Sequence, residues 1–166
     1  SKDSELSSQA QVQQAEALAS AETALNRSIE LKVDYAVAHF ELVGVYEKQG
    51  RSDEAVAKMQ RVVEFNPRDA GVWFQLGLIY VRRGASEDLA NAERAFLSAI
   101  EIIPSYSNAR WYLAGVYEQQ GKIGEAVKQL EKVVELNPEN ATVKARLDRI
   151  RSGVASGETQ PSVDAE

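Results

Sequence analysis

The sequence predicts an all-α, right-handed solenoid of three helix–turn–helix units, with a long helix in front and a capping helix behind. Three observations predict it. One segment is written three times: residues 38–46 read AHFELVGVY, 72–80 read VWFQLGLIY and 109–117 read ARWYLAGVY. Each copy is followed by a glycine (Gly50, Gly84, Gly121), then an alanine (Ala55, Ala92, Ala126), then a proline (Pro67, Pro104, Pro138). The spacing from Tyr46 to Tyr80 is 34 residues and from Tyr80 to Tyr117 it is 37. Repeats of this length stack, each unit burying its apolar face against the next.

The elements follow in order. Residues 4–31 are polar and rich in Ala and Gln, without Gly or Pro, and read as one long helix. Its second half carries Ala21, Leu25, Ser28, Ile29 and Leu31 at the spacing of a second helix, so residues 1–35 form an N-terminal helix and half-repeat cap. The first unit is 36–69. Val37, Phe40, Leu42, Val45 and Tyr46 mark its first helix; Ala55, Val56, Met59, Val62 and Val63 mark its second. Gly50 closes the first helix and Ser52 is the expected N-cap of the second. Pro67 forces Asn66 out of helical geometry. The second unit, 70–106, has helices over 70–83 and 87–103, with its three extra residues absorbed at the turn near 86–90. The third, 107–140, has helices over 107–120 and 123–136. Residues 141–151 form a capping helix with Val143, Leu147 and Ile150 facing inward. Residues 152–166 read as a flexible, linker-like tail. No strand is expected.

These units resemble tetratricopeptide repeats, helix–turn–helix modules of about 34 residues. The second unit matches best, with Trp73, Leu76, Gly77, Tyr80, Ala92, Phe96, Ala99 and Pro104 in register. The departures are His39 and Arg110 at the family's Trp in the first and third units, and Val43 at its small Gly in the first. The junction sequences look bacterial in style. The resemblance implies a concave groove lined by the first helix of each pair. At its second, fifth, sixth and ninth positions fall Val37, Phe40, Glu41 and Gly44; then Gly71, Phe74, Gln75 and Leu78; then Asn108, Trp111, Tyr112 and Gly115. Phe40, Phe74 and Trp111 are expected to climb this groove as an aromatic ladder, an arrangement suited to binding hot spots. A family subgroup clamps a chaperone's terminal carboxylate with Lys and Asn at the second and sixth positions; none of these positions holds Lys here.

Composition bounds the remaining choices. A net charge of −6 argues against nonspecific nucleic-acid binding. No apolar run suits direct membrane insertion, and without cysteine there is no thiol chemistry. The single histidine, His39, stands at a packing position with no second His or Cys beside it. No catalytic residue, metal ligand set or cofactor-binding motif is recognised, so the chain reads as a non-enzyme. The cations Lys144, Arg146, Arg149 and Arg151 suit a helix C-terminus. The expected partner is a protein or peptide, bound in the groove as an extended peptide or amphipathic helix. The alternative is a structural module that self-associates through its N-terminal helix or C-terminal tail, or that belongs to a larger, membrane-attached protein. The compartment is open: cytoplasmic, periplasmic or membrane-tethered.

Overall fold

A computed structural model describes residues 2–31 and 35–157, with side chains over 7–31 and 37–153. Eight helices and no strand occur among the described residues: α1 (Lys2–Glu30), α2 (Tyr35–Lys48), α3 (Ser52–Phe65), α4 (Ala70–Arg83), α5 (Asp88–Ile102), α6 (Ser107–Gln119), α7 (Ile123–Leu136) and α8 (Ala141–Gly157). Each helix packs on the next in sequence, and α4 also touches α6. This is the pairing of a solenoid. One continuous apolar core runs through it, because each unit's apolar face is completed by its neighbour.

The repeated residues do the same work in each unit. Ala55, Ala92 and Ala126 are fully buried at close helix crossings. Gly50, Gly84 and Gly121 take φ of 72°, 69° and 73°, left-handed values that favour glycine and close the first helices. The three tyrosines staple successive units. A cation lies over each ring: Arg51 at 4.3 Å from Tyr46, Arg83 at 5.7 Å from Tyr80 and Lys122 at 5.5 Å from Tyr117. Each cation also reaches an acid on the preceding second helix: Glu22 at 2.7 Å, Asp53 at 2.9 Å and Glu93 at 2.8 Å. The pairing with Glu22 places the second half of α1 in the role of a second helix.

The departures from the family pattern have physical equivalents. The Trp73 indole donates to the Pro67 carbonyl at 2.9 Å. Arg110, at the matching position of the third unit, donates to the Pro104 carbonyl at 2.8 and 3.1 Å. His39 is buried, 5.8 Å from the Phe65 ring. Burial holds its imidazole below the ordinary pKa, and Lys58 and Arg61 add to the shift.

The three extra residues of the second unit are spread before Ala92. Helix α4 runs one residue further beyond its tyrosine, the turn has four residues instead of three, and α5 gains one residue ahead of its alanine. This lengthened turn holds Asp88, which is 1% exposed. Its carboxylate accepts from Arg83 Nε at 2.8 Å, Arg83 Nη2 at 2.5 Å and the Ala85 amide at 2.8 Å.

Three sequence expectations differ from the structure. Ser52 is the first residue of α3 and not its cap; Arg51 holds the cap position without a side-chain capping bond. Leu31 lies past the end of α1 and is exposed, while Leu25 and Ile29 pack on the core as expected. Helix α8 continues to Gly157, six residues into the segment read as a tail. Val143, Leu147 and Ile150 of α8 are buried. Residues 32–34 and 158–166 lie outside the described residues.

Candidate functional site

The face built by the first helices comprises α2, α4, α6 and, by the same register, α8. Ion pairs lace it from unit to unit. Arg82 of α4 donates to Glu47 of α2 at 2.9 and 2.5 Å, and Arg146 of α8 donates to Glu118 of α6 at 2.8 and 2.5 Å.

One rule governs which rings this face exposes. A fifth-position ring is covered where the sixth-position side chain of the next unit reaches it. Phe74 meets Tyr112 edge-on at 5.6 Å. Trp111 meets Arg146, whose guanidinium lies 4.2 Å over the indole. Phe40 has no ring or guanidinium from the next unit against it: Gln75 stands at that position, and the two line one cavity. The exposures follow: Phe74 is 9% exposed, Trp111 is half-buried and Phe40 is 43% exposed. The expected three-ring ladder is therefore corrected. Phe74 is a core residue, enclosed by Phe96 at 5.8 Å, Tyr106 at 5.2 Å and Tyr112. Tyr112 itself keeps 41% of its surface in solvent.

The other groove residues divide into two places. Phe40, Glu41, Gly44 and Gln75 line one cavity of about 150 Å³ between α2 and α4, closed at one side by Glu47 and Arg82. Gly44 keeps it open, since a Cβ there would meet no atom within 4 Å. Asn108 and Trp111 line a second region between α6 and α8, with cavities of about 570 and 330 Å³. Gly115 faces the same seam, but Arg146 Nη2 would stand 3.2 Å from its added Cβ. Val37 is exposed and Leu78 half-buried; neither they nor Tyr112 line these three cavities.

Sequence reasoning missed the contribution of α8. Thr142, Arg146 and Arg149 line the seam beside Trp111. The signal was present: α8 read as a fourth first helix puts Arg146 and Arg149 at the sixth and ninth groove positions. The basic cluster was instead assigned to the helix terminus. Among the described residues no group of three or more His, Asp or Glu gathers to hold a metal ion, and no helix is long and apolar enough to cross a membrane.

Models of the tetratricopeptide repeat family match residues 8–70 and 45–107, and another matches 85–150. Among curated proteins, Superkiller complex protein 3 of Mus musculus is 28% identical over 94 residues, covering 56% of this chain and 6% of its own length. Anaphase-promoting complex subunit 3 of Schizosaccharomyces pombe is 29% identical over 128 residues, covering 77% of this chain and 19% of its own. The chain thus spans a small part of these relatives. Among solved structures, MamA superposes with a TM-score of 0.72 at 18% identity, covering 85% of this chain and 75% of MamA. The first repeat domain of Spaghetti (RPAP3), bound to the HSP90 peptide SRMEEVD, superposes with a TM-score of 0.63 at 27% identity, covering 72% and 93%.

Proposed function

Because this chain belongs to the tetratricopeptide repeat family, we propose that it is a protein-interaction module that binds a peptide or amphipathic helix, without chemistry, on the face formed by α2, α4, α6 and α8. One observation carries the reading: the cavity beside Phe40. It is open because Gln75 leaves the phenyl ring uncovered and Gly44 contributes no side chain. An aliphatic side chain fits there against an aromatic wall, and Glu41 and Glu47 at the rim favour a neighbouring Lys or Arg on the partner. Peptides held by related domains, such as the HSP90 and HSP70 peptides named with RPAP3, support peptide recognition as the mode. The missing lysines at the second and sixth positions speak for a different peptide class.

The test is calorimetry of a partner captured from the source cell. Phe40→Ala is expected to weaken binding by about 2 kcal/mol, as a hot-spot aromatic does. It is expected to cost less stability than the ~3–5 kcal/mol of removing a buried ring. Undiminished affinity would move the site away from this cavity.

A second reading is an assembly module. It is favoured by the side chains of residues 7–17, all of which are exposed along α1, and by the complex-subunit names of the curated relatives. Sizing chromatography tests it: a dimer that dissociates on dilution supports self-association, and a constant monomer opposes it.

A further inference from the structure

We propose that the seam between α6 and α8 is a second recognition site, taking an acidic, partly apolar peptide segment. The inference rests on the reading that this face binds peptides, and it adds the partner's chemistry at the C-terminal end. The two cavities at the seam share Trp111 and Thr142 as walls. Trp111, Ala145 and Val143 supply apolar surface. The two guanidinium groups beside them differ in state. Arg146 is engaged: Glu118 takes its Nε and Nη2, the Trp111 carbonyl takes its Nη1 at 3.2 Å, and its plane covers the indole. Arg149, lining the same cavity, is exposed and has no hydrogen bond or ion pair among the described residues.

Charge complementarity selects the occupant. Residues 141–153 carry Lys144, Arg146, Arg149 and Arg151 against Asp148 alone, within a chain of net charge −6. Arg151 is paired with Glu131 at 2.6 Å. Of the two cations left without an ion pair, Lys144 and Arg149, Arg149 lines the cavity beside the aromatic wall and is the one placed for a ligand. A carboxylate accepts two parallel bonds from such a guanidinium, while an adjoining aliphatic side chain covers the indole. A polyanion suits the site less, since the rest of the acidic chain repels it.

The probe is the blocked peptide Ac-Leu-Asp-Glu-Leu-NH2, with Ac-Leu-Asn-Gln-Leu-NH2 as its neutral twin. Each is titrated to millimolar concentration into isotope-labelled full chain while the Trp111 indole N–H resonance is followed. The acidic peptide is expected to shift that resonance saturably and to bind about fivefold or more tightly than the neutral one, the scale of one exposed charge pair. Arg149→Gln is expected to erase the preference and Arg149→Glu to reverse it, with circular dichroism melts unchanged. Equal affinity for the two peptides, or an oligouridylate that shifts Trp111 as tightly, would overturn the proposal. Shifts confined to amides around the Phe40 cavity, or no saturable shift at all, would overturn it while leaving the groove reading to its own Phe40→Ala test, because that cavity favours a basic partner.

Discussion

Gly77→Ala is expected to destabilise the protein by about 2 kcal/mol, although alanine is the better helix former. A Cβ built on Gly77 would lie 2.5, 2.7 and 2.8 Å from three atoms of the Phe96 ring. That ring is fully buried and contacts Phe74 and Tyr112, so it has no free direction of retreat. The ~1 kcal/mol gained in helix propensity offsets only part of the clash. The third unit shows the relief: it places Ala114 and Leu130 at the matching positions, both fully buried. Gly77→Ala combined with Phe96→Leu is therefore expected to lie within about 1 kcal/mol of Phe96→Leu alone, a strongly non-additive pair. Denaturant unfolding measures both. An unchanged midpoint for Gly77→Ala would mean that the ring does not rest on the α4 backbone.

Arg83→Met is expected to cost more, about 3–5 kcal/mol, because it strands a buried carboxylate. Asp88 has the Ala85 amide and Arg83 as its hydrogen-bonding partners, and Arg83 supplies the counter-charge. The Arg83 bond holds the Asp88 carboxyl below its ordinary pKa, outweighing the opposing effect of burial. A lowered folded pKa contributes stability that is present above the unfolded value of about 4 and lost as pH falls through the folded value. In Arg83→Met the largest lowering influence is gone, leaving burial opposed by the Ala85 amide and Asn91, so the carboxyl protonates at higher pH than in wild type and acid relieves it. The stability gap between wild type and variant is thus expected to narrow as pH falls from 7 toward 4. Arg83→Met with Asp88→Leu is expected to recover most of the loss. A constant gap across that pH range would contradict the assignment of the cost to Asp88.

Much of the fold was legible because it rests on local rules repeated in register. The turn glycines, crossing alanines and helix-ending prolines each announce a backbone state or a steric limit from their own identity. The insertion could be confined to the stretch before Ala92 because Ala92, Phe96 and Pro104 keep their mutual spacing, but its spread into the end of α4, ahead of 86–90, could not be read. What failed needed a second unit to see. Nothing in Phe74 itself distinguishes it from Phe40; Tyr112 and Gln75, one repeat later, decide which ring is covered. Arg146 was legible as a helix-end cation, and its role over Trp111 appears only when α8 is counted as a groove helix. The Gly-rich composition of residues 152–157 was read as linker, yet α8 continues through them. Ser52 lost its capping role by one residue, since the turn after Gly50 delivers Arg51 to that position.

The most direct measurement of the central claim is Gly44→Leu, followed in paired binding and unfolding experiments. The substitution removes no contact, meets no atom within 4 Å at its Cβ, and projects into the cavity beside Phe40. Leucine in place of a mid-helix glycine favours α2 by up to about 1 kcal/mol. The expected result is a melting temperature equal to or above wild type, together with a loss of partner affinity of about tenfold or more, as blocking a hot-spot pocket requires. Wild-type affinity in a protein of undiminished stability would contradict the account.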